Sequence, residues 1–343
     1  MRIAPAAPDG EPGGVPARIA RFEPVDLAEV RGQAFARWAL ETALAGEHNL
    51  LLIGPPGAGK TLLARTVPTL LPSLEPEEAL EATIVASVAG LLAPGEGLRR
   101  ERPLRAPHHT LSYAAMVGGG PGLAPGEVTL AHRGVLFLDE LGEFARDVLD
   151  ALRQPLEDGS VAIARAGRTV RFPARFQLLA ATNPCRCGRF GDPDEACRCR
   201  PGEAERYLRR VSGPLLDRID CFVTMPRVRP GELLGGPEPE PSAAVATRIA
   251  AARRLARERN GGRCNGALGG REIRRLAQLD EAGLGFLQRA AEERRHSARA
   301  VLRLLRVART VADLRGHERV GRDELAAALS LREPTAGAFD EAT

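Results

Sequence analysis

The sequence is nearly without lysine. Of its 48 basic residues all but one are arginine, and the exception is Lys60. A chain that uses the planar, five-donor guanidinium almost everywhere has kept a compact ammonium at one place, and the two groups are not interchangeable. Long apolar runs are missing too. None approaches the roughly 18 to 20 residues a membrane-spanning helix needs, and the amino-terminal stretch lacks the apolar core of a signal peptide. These absences predict a cytoplasmic protein with no membrane partner. A strong charge excess is absent: the net charge is +4 and the pI near 8.9. That is too mild to identify a nucleic-acid partner unless the arginines cluster. The six cysteines of such a chain are read as thiols or metal ligands rather than disulfides. There is neither an internal repeat nor a sustained heptad pattern.

With 343 residues, 44% hydrophobic and 27% charged, the chain has room for two ordinary domains, each with its own core. Lys60 stands inside Gly54-Pro55-Pro56-Gly57-Ala58-Gly59-Lys60-Thr61-Leu62, which fits G-x-x-x-x-G-K-[ST]. The glycines let successive backbone N–H groups turn onto phosphate oxygens, Lys60 reaches the β/γ-phosphates, and the Thr61 hydroxyl ligates Mg²⁺. The context agrees. Leu50-Leu51-Leu52-Ile53 reads as a buried strand, and a helix begins after the loop.

A second apolar strand, Gly134 to Leu138, ends in Asp139-Glu140. Asp139 is placed to ligate Mg²⁺ directly or through water, and Glu140 to polarise a water for attack on a γ-phosphate. A third strand, Phe176 to Ala181, ends at Thr182-Asn183, where the Asn183 amide either orients the attacking water or simply forms a turn. Between them, residues 160 to 176 carry Arg165, Arg168, Arg171 and Arg175 without an acid and read as a β-hairpin. The hairpin is either a probe for a nucleic-acid backbone or a solvated charged ribbon. The polar, glycine-rich stretch 93 to 130 reads as an insertion with a mobile loop. Its His108-His109 pair is assigned to loop packing or nucleic-acid contact ahead of metal binding.

Cys185-Arg186-Cys187 and Cys197-Arg198-Cys199 can bring four thiolates to one Zn²⁺, with reduced thiols and disulfides as the alternatives. Arg218, between Asp217 and Asp220, is either a local ion pair or a finger that reaches a neighbouring subunit's nucleotide. Residues 227 to 242 read as a linker, after which helical periodicity dominates, best in Ser297 to Leu314. Arg299 at the start of that helix is either surface charge or a γ-phosphate contact from above the loop.

These stretches in this order resemble AAA+ ATPases. Residues 26 to 332 resemble in particular the magnesium-chelatase-like branch of the ComM (YifB) type, through Arg105-Ala106-Pro107-His108-His109-Thr110, Gly134 to Glu140, Asn183-Pro184-Cys185-Arg186-Cys187-Gly188 and Ser212 to Asp220. The resemblance implies an α/β fold, a parallel sheet flanked by helices and followed by a small all-helical lid. It implies ATP and Mg²⁺ as ligands, with Walker A at 54–61, Walker B at 135–140, sensor 1 at Asn183, an arginine finger at Arg218 and sensor 2 at Arg299. It further implies a hexameric ring that drives DNA branch migration, with the 93–130 insertion and the 160–175 hairpin lining the pore. The expected division is a leader 1–24, an ATPase domain 25–226 with a cysteine insertion 185–199, a linker 227–242, a helical lid 243–332 and a tail 333–343. The branch usually carries an amino-terminal Lon-protease-like domain, for which this sequence offers only the leader, and Gly142 stands where proline is usual. A non-motor ATP-gated scaffold and a chelatase subunit are the rival readings.

Overall fold

The structure is a computed structural model that describes residues 23–120, 122–165, 168–192, 195–235 and 237–332, without the side chains of Arg165 and Arg168. Nearly all of the expected leader, the 333–343 tail, the Ala166-Gly167 turn of the hairpin and Pro193 lie outside the described residues.

Among the described residues nine strands are formed: β1 (Leu50–Ile53), β2 (Leu104–Arg105), β3 (Gly118–Gly119), β4 (Ala124–Pro125), β5 (Val135–Leu138), β6 (Ser160–Arg165), β7 (Arg168–Pro173), β8 (Gln177–Thr182) and β9 (Cys221–Thr224). Five make a parallel sheet in the order β2-β5-β8-β1-β9, with Leu50 level with Leu179 on one side and Cys221 on the other. Short, uniformly apolar strands suit a sheet covered on both faces. Alternate residues serve the two cores: Leu50, Leu52, Phe137 and Val223 pack with the helix Ala34–Gly46 and the carboxy-terminal helices. Leu51, Ile53, Leu138 and Phe222 pack on the other face, with Val148, Leu149 and Leu215. The chain thus has an α/β fold, a parallel sheet flanked by helices, followed by a mostly helical region.

That helical region is built from Ser242–Arg259, Gly270–Leu276, Glu281–Glu293, Ala298–Arg315 and Arg322–Ser330. Ser297 caps the fourth by accepting from Ala300 N, and Gly316 ends it in the left-handed conformation. The region is docked on the sheet edge, where Phe222 N donates to Leu331 O at 2.6 Å. It also packs on Ala34–Gly46, where Arg253 donates twice to Leu44 O.

Three elements differ from the sequence reading. Inside the 93–130 stretch, Leu104–Arg105 is the edge strand of the main sheet, paired with Val135 and Leu136. A two-residue strand is too short to show a hydrophobic period, and Arg105 is tolerated there because Glu127 accepts from it twice at 2.7 Å. The spacing of Val148, Leu149, Leu152 and Leu156 predicts one helix over Asp147 to Glu157, and the structure forms two short ones, Arg146–Ala151 and Arg153–Asp158. Within the 227–242 stretch, Pro230–Gly235 is a short, wholly exposed helix.

Candidate functional site

The phosphate loop leaves the carboxy-terminal end of β1 and is pinned by Gly54 N donating to Thr182 O at 3.1 Å. A side chain at Gly54 would meet Met225 O at 2.3 Å, so crowding requires glycine there. Gly57 and Gly59 are required instead by backbone conformation, with φ of +82° and +90°. The helix Lys60–Arg65 follows, with Leu62 half-buried at its start.

Lys60 is buried, and Nζ donates to Gly54 O (2.6 Å), Pro55 O (3.0 Å) and Asn183 Oδ1 (3.1 Å). Burial pushes its pKa down to about 8, against the opposing pull of Asp139 and Glu140. Thr61 Oγ1 donates to Asp139 Oδ2 at 2.6 Å. A hydroxyl and a carboxylate brought together beside a phosphate loop are the hard oxygen donors Mg²⁺ selects, so these residues fit the ion. The structure therefore brings Lys60, Thr61, Asp139 and Asn183 into one site from the ends of three strands.

Glu140 follows in a left-handed conformation, φ +52°, ψ +46°, a strained state for a residue with a side chain. Its Oε2 lies 3.0 Å from His109 Nδ1. His109 in turn lies against His108, ring centroids 4.1 Å apart, and edge-on to Phe144 at 6.4 Å. His109 is thus a partner of the expected water-activating group, a role the sequence reading missed. Only the neighbouring Arg-Ala-Pro-His-His-Thr run signalled it. Gln33 was missed as well. It is left-handed at φ 52°, and its Nε2 donates to Ala58 O (3.1 Å) and Pro226 O (2.6 Å), tying the loop to the chain leaving β9. Gly142 has a local reason: a Cβ there would meet the Tyr207 ring at 2.8 Å.

Arg218 and Arg299 are elsewhere. Both line a cavity of about 740 Å³ with Asn49, Val135 and Gln177, at the amino-terminal ends of the strands, opposite the loop. The reading of Arg299 above its own chain's phosphate loop is thereby corrected: docking of the helical region on β9 and Ala34–Gly46 carries its helix start to the far end of the sheet. Arg218 does not pair with its flanking aspartates. It donates to Glu157 and to Pro214 O, while Asp217 faces Arg303 at 3.6 Å and Asp220 accepts from Asn49 N. Glu157 is held below the usual carboxylate range by its hydrogen bond to Arg218, with charge from Arg299 and Arg153 adding to it. Arg218 Nε, Arg303 Nε and Arg306 Nε are buried there without a hydrogen-bond partner.

The four cysteines of the two C-x-C pairs converge. Cys185 Sγ lies 3.4 Å from Cys187 and 3.8 Å from Cys197, and Cys187 lies 3.6 Å from Cys197. All four sulfurs, that of Cys199 included, lie within 4.8 Å of one another, and none is in a disulfide. A tetrahedron with Zn–S bonds of about 2.3 Å has edges of about 3.8 Å, so the cage fits Zn²⁺. The arginine hairpin forms in the register Ser160↔Pro173 to Arg165↔Arg168. Arg171 Nε donates to Ser160 Oγ at 2.8 Å on its exposed surface. Among the described residues no helix is long and apolar enough to cross a membrane.

Comparison with known proteins finds two matching family descriptions: "Magnesium chelatase, subunit ChlI" over residues 26–233 and "Magnesium chelatase, subunit ChlI C-terminal" over residues 239–332. The chain is 48% identical over 312 residues to an uncharacterized protein of Mycobacterium tuberculosis, covering 90% of this chain and 61% of that one. It is 45% identical over 311 residues to competence protein ComM of Haemophilus influenzae, covering 90% and 60%. Against the magnesium-chelatase 38 kDa subunit of Cereibacter sphaeroides it is 27% identical over 179 residues, covering 48% and 52%. The chain thus spans about 60% of the length of the first two relatives.

Proposed function

The chain belongs to the magnesium chelatase ChlI family of AAA+ proteins, and from that premise we propose that it is an ATP-hydrolysing motor that assembles as a hexameric ring and acts on DNA. The observation that carries the ATPase reading is the convergence of Lys60, Thr61, Asp139 and Asn183 at one end of the sheet. ATP is bound by the loop from Gly54 to Leu62, with Lys60 exchanging the carbonyls of Gly54 and Pro55 for β/γ-phosphate oxygens. Thr61 and Asp139 would hold Mg²⁺, which would supply neutralisation of the phosphate charge when bound. Glu140 accepts a proton from the attacking water while His109 keeps its carboxylate oriented, and Asn183 stays within reach of both Lys60 and that water. Zn²⁺ at the four cysteines completes the cofactor set.

Arg218 and Arg299 share one far face of the subunit, and this placement supports a role for both at the nucleotide of an adjacent copy. The subunit would then carry half of each site at either end of its sheet. Action on DNA rests on the arginine ribbon β6–β7 and on the 45% identity to a competence protein. Arginines on a projecting ribbon give sequence-independent, salt-dependent contact with a phosphate backbone.

ATP turnover measured with and without duplex, branched and single-stranded DNA tests the proposal. Lys60→Ala is expected to lose turnover, and normal turnover in that variant would refute the ATPase reading. DNA is expected to stimulate hydrolysis. Substituting Arg165, Arg168 and Arg171 together by alanine is expected to abolish that stimulation and weaken DNA binding. Unaltered binding together with a DNA-independent rate would leave an ATPase of another kind.

A further inference from the structure

We propose that zinc held by Cys185, Cys187, Cys197 and Cys199 keeps the phosphate loop in its nucleotide-binding shape, so that zinc occupancy sets the loop's order and with it nucleotide affinity. The nucleotide half rests on the ATPase reading above; the metal and loop half does not.

The cage is built as a metal site. Its sulfur separations of 3.4, 3.6 and 3.8 Å bracket the edge of a zinc–thiolate tetrahedron. Arg198 N donates to Cys187 Sγ at 3.5 Å, the kind of outer hydrogen bond that orients a metal ligand. Four thiolates around one divalent ion leave a net charge of −2. The arginine at the centre of each Cys-Arg-Cys pair, Arg186 and Arg198, places a cation beside the cage on each limb. Gly188 and Gly191, at φ +77° and +76°, turn the chain back so that the second pair meets the first.

Three tethers run from the cage to the loop. Cys185 is fully buried and follows Asn183 by two residues, and Asn183 Oδ1 holds the Lys60 ammonium. Gly188 is packed so closely on the loop that a Cβ would meet Pro56 Cδ at 2.4 Å. On the outer limb, Arg227 Nη1 lies 2.5 Å from Glu195 Oε1 and its Nε 3.5 Å from Asp192 Oδ2. Arg227 follows Pro226, whose carbonyl accepts from the same Gln33 that donates to Ala58 O. Between Cys185 and Cys199 the one large apolar residue is Phe190, and it is exposed, so the segment is fixed by the ion rather than by an apolar core. Taking the ion away frees the segment and, through Asn183, Gly188 and Arg227, the loop.

The whole chain of 343 residues tests this by elemental analysis, hydrogen exchange at the amides of Gly54, Gly57, Ala58 and Gly59, and titration with a fluorescent ATP analogue. Wild type is expected to carry about one zinc per chain. The double substitution Cys197→Ser and Cys199→Ser is expected to lose it, to exchange the loop amides about tenfold faster, and to bind the analogue about tenfold more weakly. Gly188→Ala keeps all four ligands and displaces Pro56, so it is expected to retain zinc and still show the faster loop exchange. If the double variant fails to fold, Gly188→Ala decides. A chain without zinc, or loop exchange at the wild-type rate in Gly188→Ala, overturns the proposal. Loss of zinc with unchanged exchange in the double variant overturns it equally. No analogue binding by wild type would sink the ATPase reading instead, leaving zinc content and loop exchange to decide this one.

Discussion

At the scale of single residues, the site is governed by how each polar group is held. Glu140 is strained backbone and an exposed carboxylate at once, and a carboxylate free to rotate is a poor base for one particular water. His109 supplies the restraint at 3.0 Å. His109→Ala is therefore expected to lower kcat about tenfold with KM for ATP nearly unchanged, since the contact touches the base and not the nucleotide. His109→Asn keeps a donor and is expected to recover most of the rate; steady-state kinetics of the two variants make the check. Equal losses in both, or a change confined to KM, would count against the role. The phosphate loop was legible in sequence because its chemistry is contiguous, with glycines, lysine and hydroxyl in one run. His109 was not, because it lies 31 positions before Glu140 and only the pairing of β2 with β5 brings them together.

At the scale of elements, the joint between the α/β part and the helical region is polar and buried. His48, at the end of the helix Ala34–Gly46, has Nε2 2.8 Å from Thr310 Oγ1, and Asn265 Nδ2 donates to both Thr310 Oγ1 and Asp313 Oδ2. Asp313 also accepts from Arg259 and Arg309. Burial pushes the pKa of His48 down to about 4, with nearby Asp220 acting in the opposite sense. The unfolded chain, with an ordinary histidine pKa, then binds the proton that the folded chain refuses. The stability contributed by neutral His48 is complete above about pH 6.5 and is lost as pH falls from there towards 4. Thermal unfolding followed between pH 7 and 5 is expected to show a falling midpoint, and His48→Gln is expected to flatten that fall. A slope unchanged by the substitution would assign the pH dependence to other groups. The helices meeting here were readable from their periodicity. The joint itself was not, because the His48–Thr310 contact joins positions 262 residues apart and leaves no local pattern.

At the scale of the whole molecule, the two arginines expected to act on nucleotide lie at the end of the sheet opposite the loop. One subunit would then complete its neighbour's site, and turnover per subunit is expected to rise with protein concentration as copies assemble. Arg218→Ala is expected to lower turnover by about 10³-fold, within the range known for arginine fingers, while leaving nucleotide affinity largely intact. Mixing it with Lys60→Ala is expected to restore part of the rate at interfaces that pair an intact loop with an intact arginine. Failure of the mixture together with concentration-independent turnover would place Arg218 in an ordinary surface ion pair with Glu157. The sequence by itself determined the chemistry that is local: the phosphate loop, the acid pair at a strand end, the two Cys-Arg-Cys pairs and the parallel α/β pattern. It could do so because backbone turns and short apolar runs are set by residues a few positions apart. Only the tertiary structure decided that Arg299 sits with Arg218 rather than above the loop, that His109 meets Glu140, and that the cysteine cage rests on Pro56. Those placements follow from packing between segments distant in the chain.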